Sequence, residues 1–99
     1  MITLPIEFEQ DGNDARYVVN LPGAAQPAEL AFVRIAPQVI VADHTFVPPE
    51  GRGMGIALAL VERLISYARE NGDKIVPTCP YVAKEFKAHP EWSDLLAEG

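Results

Sequence analysis

Cysteine is nearly absent: the 99 residues contain one, Cys79. A single thiol closes no intramolecular disulfide and gives zinc no Cys cluster, so no metal site is expected and the chain is assigned to a reducing compartment, the cytoplasm by default. Basic residues are also scarce, with 8 Lys and Arg against 14 Asp and Glu and a net charge of −6. A broad basic surface for a nucleic-acid backbone is therefore not expected, and an anionic ligand would have to be held locally. No stretch reaches the roughly 18 uninterrupted apolar residues of a membrane span. The segment Met1 to Glu9 lacks a basic region followed by an apolar run, so neither a membrane anchor nor a leader of recognisable type is expected. Repeats and low-complexity tracts are absent too.

Apolar material is plentiful. With 48% hydrophobic and 22% charged residues, the chain can repay the entropy of ordering itself. Its length leaves room for one domain, residues 1–99, working as a monomer or a homodimer.

The first half reads as short strands separated by turn chemistry. Ile6 to Glu9 and Arg16 to Leu21 flank Asp11-Gly12-Asn13-Asp14, a hairpin signal. Glu29 to Ile35 and the β-branched run Val39 to Val47 follow, parted by Pro37. Strict alternation along the last run puts Ile40, Ala42, His44 and Phe46 on one face, and Val41, Asp43, Thr45 and Val47 on the other. After Pro48-Pro49-Glu50 the period changes to that of a helix, with Ala57, Val61, Leu64 and Ala68 on one face and Asn71-Gly72 as its stop. Lys74 to Val76 is a short strand, Pro77 to Pro80 a loop, and Tyr81 to Ala88 and Pro90 to Ala97 two short helices, the second opened by proline. The predicted fold is α+β: a four-strand antiparallel meander, a crossover helix, a short parallel fifth strand and two short C-terminal helices.

The opening of the long helix carries the chemical signal. Across Arg52-Gly53-Met54-Gly55-Ile56-Ala57, bare backbone N–H groups converge on the positive end of a helix dipole, glycines let a ligand approach, and Arg52 can add a charge-assisted pair of hydrogen bonds. Glycine spacing alone serves equally a turn that merely packs the helix close to the sheet. A nucleotide P-loop fails for want of Gly-Lys-Ser/Thr, and a dinucleotide fingerprint for want of a βαβ unit. What remains is Arg/Gln-x-x-Gly-x-Gly/Ala, met by Arg52, Gly55 and Ala57.

That pattern, following a strand and opening a helix, resembles the acyl-coenzyme A site of the GNAT acetyltransferase superfamily. His44-Thr45-Phe46-Val47-Pro48, Pro77-Thr78-Cys79-Pro80-Tyr81-Val82 and His89-Pro90-Glu91-Trp92 extend the resemblance to a small single-domain branch of that superfamily. The resemblance implies a truncated GNAT fold in which strands four and five splay apart around the pantetheine arm. Val47 would offer backbone groups to the pantetheine amides, Arg52, Gly53, Met54, Gly55, Ile56 and Ala57 would cradle the pyrophosphate, and Lys84 would meet the ribose phosphate. The implied activity is transfer of acetyl from acetyl-coenzyme A to an amine, either directly or by way of Cys79. A non-catalytic acyl-coenzyme A binding or interaction module is the alternative, because the chain is too short for the usual substrate-pocket elements.

Three residues are candidates for the chemistry. Cys79 could attack the thioester, or could be a small buried hydrophobe; an ordinary thiol is only a few per cent ionised at neutral pH, so the first role needs a dipole or base nearby. His44 could take a proton from the incoming ammonium or from Cys79, or bond a neighbouring loop. Tyr81 could protonate the departing thiolate, or pack against Phe86. His89 reads as structural, and Lys84 and Lys87 serve equally as solvated surface.

Overall fold

The computed structural model describes residues 4–97. Five strands, β1 (Glu7–Asp11), β2 (Asp14–Val19), β3 (Ala28–Ala36), β4 (Val39–Phe46) and β5 (Lys74–Pro77), form one sheet in the order β1-β2-β3-β4-β5. The first four pair antiparallel, and β5 joins β4 in parallel after the helix α1 (Ile56–Asn71). A shorter helix, α2 (Pro80–Ala88), and 3-10 turns at Pro49–Gly51 and Pro90–Leu95 complete the chain. The α+β meander, crossover helix and parallel fifth strand are as the sequence predicts.

The β1–β2 hairpin is tighter than its turn residues suggest. Asp11 pairs with Asp14 across Gly12-Asn13, and Gly12 takes φ 62° at the first central position, a conformation glycine adopts without steric cost. Beyond it, Tyr17, Leu30 and Phe32 meet the α1 residues Leu60, Val61, Leu64 and Ala68 in one hydrophobic core. α1 buries Ile56, Leu60 and Ile65 as well, while Ala57, expected in the core, is only half-buried. α2 adds Val82 and Phe86, and the 3-10 turn adds Trp92 and Leu95. The opposite face of the sheet carries no helix among the described residues.

Two predicted features are corrected. Pro90 to Ala97 is not an α-helix: a 3-10 turn runs to Leu95, Leu96 bridges Ile75 in parallel, and Ala97 N–H donates to the Ile75 carbonyl at 2.9 Å. Trp92 and Leu95, three apart and both buried, eclipse on a 3-10 turn, so the tighter winding aims both at the core. Trp92 is sandwiched there by the stacked His89 ring at 4.0 Å and the edge of Phe86 at 5.9 Å, so His89 has a structural role and Phe86 spends its ring on Trp92.

The second correction concerns β4. Ala31 pairs with His44 and Phe32 with Ala42, leaving Asp43 as a β-bulge. The extra residue reverses the alternation beyond it. Ile40 and Ala42 lie beneath the helices, but His44 and Phe46 move to the bare face opposite Ala31 and Glu29, while Thr45 joins Leu30 on the helix side.

The turn out of α1 is anchored by Asp73, 2% exposed, whose two carboxylate oxygens each accept a hydrogen bond from Arg34 at 2.8 Å. Arg34 also donates to Tyr67 Oη and the Pro37 carbonyl. Arg34→Ala would leave a carboxylate buried without its partner, and a loss of about 3 kcal/mol in unfolding free energy is expected from chemical denaturation. A change below a few tenths would show that the pair carries no such role.

Candidate active site

The site begins where β5 leaves β4. Parallel pairing runs from Val39 with Lys74 to Ala42 with Pro77 and goes no further. There the Ala42 carbonyl accepts the backbone N–H of both Thr78, at 3.1 Å, and Cys79, at 3.0 Å, and the chain turns into α2. β4 continues to Phe46 without β5 beside it, so the two strands open into a wedge.

Cys79 stands at the head of this wedge as the residue preceding α2. Its Sγ lies 3.5 Å from Thr45 Oγ1, which the bulge has turned to this side. Burial pushes the thiol pKa up, but hydrogen bonds from the Thr45 hydroxyl and from the backbone N–H groups of Val82, Tyr81 and Thr45 outweigh it, and the net direction is down. The dipole needed to favour the thiolate is therefore supplied by the first turn of α2.

The opening of α1 forms the other half. Gly55, at φ 74°, precedes the helix and offers no side-chain cap, and the first intrahelical bond runs from Ala59 N–H to the Gly55 carbonyl. The N–H groups of Ile56, Ala57 and Leu58 consequently have no acceptor within the helix. A Cβ on Gly55, or on Gly53 at φ 80°, would meet no protein atom within 4 Å, so the left-handed backbone requires these glycines while the space above them is open. Gly51 is a different case, since a Cβ there would lie 2.7 Å from Leu21 Cδ1. Arg52 is exposed and places Nε 3.4 Å from the Val47 carbonyl, using one of its five donors.

The opening of α1, with Val47 and Tyr81, lines an open groove of about 210 Å³. Val47, Arg52, Gly53, Gly55, Ile56, Ala57 and Tyr81 are thereby brought together. Burial and the Glu85 carboxylate push the Tyr81 hydroxyl pKa up, so it keeps its proton at neutral pH and can donate it. Met54 is exposed and does not line the groove, nor does Lys84, which is exposed on α2. His44 stands on the other face of the sheet, with Nε2 3.1 Å from Glu29 Oε2.

The site includes three residues not predicted for it: Gly51, Leu58 and Thr45. Gly51 and Leu58 flank the recognised motif by one residue on either side, and Thr45 shares the alternation of Val47. Among the described residues, no group of three or more His, Cys, Asp or Glu is placed to hold a metal ion.

A meander, a crossover helix with a bare glycine-bounded N-terminus, and a parallel strand that splays from its neighbour define the fold of the GCN5-related N-acetyltransferases. The chain belongs to that family: the family model described as GCN5-related N-acetyl-transferase matches residues 16–95. The chain is 31% identical to Protein NATD1 of Gallus gallus over 87% of its length and 78% of the relative's. Against Protein NATD1 of Homo sapiens the figures are 31%, 87% and 76%. Among solved structures, a GCN5-like protein of Staphylococcus aureus superimposes with TM-score 0.66 at 24% identity, covering 94% of this chain and 89% of the other. A ribosomal-protein-alanine N-acetyltransferase from Brucella melitensis biovar Abortus 2308 gives 0.57 at 22%, covering 88% and 65%.

The hydrogen bonds at Cys79 make a direct prediction. Followed by thiolate absorbance, Cys79 is expected to deprotonate at lower pH in the folded chain than in denaturant, and Thr45→Val is expected to move the folded midpoint upward. A midpoint unmoved by Thr45→Val would remove the hydroxyl from the account.

Proposed function

We propose that the protein transfers an acetyl group from acetyl-coenzyme A to an amine. One observation carries this reading: the open groove joins the uncapped N-terminus of α1 to a tyrosine that retains its proton, beside a wedge with a thiol at its head. Open space above Gly53 and Gly55, three N–H groups without an acceptor in the helix and the Arg52 guanidinium suit the pyrophosphate of coenzyme A, and the stretch of β4 left without β5 beside it suits the amides of its pantetheine arm. Lys84 remains a candidate for the ribose phosphate on charge alone.

In direct transfer, the deprotonated amine attacks the thioester carbonyl carbon. The C–N bond forms, the C–S bond breaks, the nitrogen gives up its extra proton to solvent, and the leaving sulfur takes a proton from the Tyr81 hydroxyl, which recovers one from solvent. The Thr45 N–H, aimed into the wedge, supplies a donor for charge developing on the carbonyl oxygen. In the covalent variant the Cys79 thiolate attacks first, coenzyme A leaves with a proton from the Tyr81 hydroxyl, and the amine, losing a proton to solvent, then displaces Cys79 as its thiolate from the acetyl group. The lowered thiol pKa supports this route. His44 would serve as the proton acceptor for an amine approaching from the bare face. We place the reaction in a reducing compartment such as the cytoplasm, where a lone reactive thiol keeps its function.

One observation favours a second reading, a non-catalytic acyl-coenzyme A binder: His44 lies on the opposite face of the sheet from the groove. A panel of amines, lysine peptides and protein N-termini separates the two, since a single robust acceptor eliminates the binder.

Calorimetric titration with acetyl-coenzyme A is expected to show binding that Arg52→Glu weakens at least tenfold, a loss of about 1.4 kcal/mol. Absence of binding to the wild type would end the proposal. Cys79→Ser is expected to preserve that binding and, on the covalent route, to abolish both turnover and the acetyl adduct detectable on the Cys79 peptide by mass spectrometry; near-normal turnover would establish direct transfer.

A further inference from the structure

Glu85 takes no part in the transfer just described, yet its carboxylate is largely withdrawn from water, the side chain 16% exposed on the nine-residue helix α2. A charge so placed needs partners. One is His89, whose Nδ1 lies 2.8 Å from the Glu85 carbonyl oxygen and 3.5 Å from Glu85 Oε1. A carbonyl oxygen only accepts, so Nδ1 carries the proton and presents its N–H to Glu85. The imidazole is held in that pose by its stacking on Trp92 at 4.0 Å, and Trp92 meets the edge of Phe86 in turn. The other partner is Tyr81. It stands one helical turn before Glu85 on the same face of α2, and side chains on a helix lean towards its N-terminus, so the carboxylate is carried towards the phenol. Placed there, Glu85 acts on the Tyr81 hydroxyl by its charge and by a side-chain hydrogen bond, and both hold the proton on the phenol.

We propose that Glu85 is a positioning residue for the acetyl transfer, braced by His89 and holding the Tyr81 hydroxyl at the groove beside the opening of α1. The inference rests on the role given to Tyr81 in that transfer. At rest the phenol O–H donates to the Glu85 carboxylate, which fixes the oxygen. As the C–S bond breaks, the O–H turns about the C–O bond and passes its proton to the sulfur, while Glu85 stays ionised throughout. An anion beside the phenol also resists formation of tyrosinate. That resistance serves an alkylamine acceptor, because an amine attacks only in its neutral form, and the ordinary pKa of a lysine amine, about 10.4, lies above that of a phenol, about 10. Glu85 thus keeps the acid loaded at the pH where the nucleophile is free. The other titratable groups at this end of α2 are the Arg52 guanidinium, which lines the same groove, and the Cys79 thiol, which precedes the helix.

The test labels the three tyrosines with carbon-13 at Cζ, assigns the Tyr81 signal by its loss in Tyr81→Phe, and follows it with pH by NMR in the protein without ligand. Glu85→Gln, which keeps the shape and removes the charge, is expected to lower the Tyr81 midpoint and leave those of Tyr17 and Tyr67 in place. In transfer to an alkylamine it is expected to lower kcat about tenfold, to leave KM for acetyl-coenzyme A unchanged, and to bring down the pH at which activity is lost on the alkaline side, since the acid works only while protonated. If Glu85→Gln does not fold, His89→Phe keeps a ring on Trp92 but removes the N–H, and the same downward shift of Tyr81 is expected. A Tyr81 midpoint unmoved by the substitution, an unchanged kcat, or a loss confined to KM would each overturn the proposal. A wild type that transfers no acetyl group would instead overturn the reading on which the inference rests, and the Tyr81 titration, made without ligand, tells the two failures apart.

Discussion

The site depends on a single backbone acceptor. At Ala42 one carbonyl receives two N–H groups, from Thr78 and Cys79, where a continuing parallel ladder would receive one and pass on to the next residue. Sharing the acceptor ends the ladder and starts α2 at once, with Pro80 in its first turn contributing no N–H that would need a partner. The wedge between β4 and β5, the position of the thiol and the direction of the α2 dipole all follow from that termination. A fifth strand running two residues longer would fill the wedge with its own backbone.

The bulge at Asp43 then divides the candidate residues between two faces. Without it, Thr45 would point away from Cys79, and the polar His44 ring would lie in an apolar layer under the helices. With it, Thr45 supplies both a hydroxyl and an N–H to the sulfur, while His44 reaches Glu29 on the open side. Thr45 and the opening of α1 thus stand on the helix side of the sheet, and His44 on the bare side.

Much of this was legible in the sequence, for reasons that also explain what was not. The α1 cradle could be read because glycine, arginine and a change of period leave local signatures, and Val47, Gly55 and Tyr81 do meet in one groove. The meander could be read from β-branched runs and turn residues. The bulge could not, because Val-Ala-Asp-His-Thr carries no glycine and alternates as smoothly as a regular strand; only pairing with β3 reveals the extra residue. His44 and Thr45 exchanged faces in consequence. The form of the C-terminal turn is not legible in the sequence because Pro90 opens a 3-10 and an α-helix alike, and two buried side chains three apart decide between them.

What holds the wedge open is tertiary. β5 has four residues and would be marginal as an isolated strand, yet it must stop at the right place to within one residue. Its start is fixed by Gly72, whose left-handed backbone closes α1, and by Asp73, clamped to Arg34 of β3. Its other flank is fixed by Leu96 and Ala97, which bond Ile75 from the outside. With both neighbours anchored, the end of β5 at Pro77 is a matter of chain length, and the thiol two residues on is delivered to Thr45 by counting. The Arg34–Asp73 ion pair at the C-terminal end of α1 thus helps to set the register of β5 and, through it, the position of Cys79 beside Thr45.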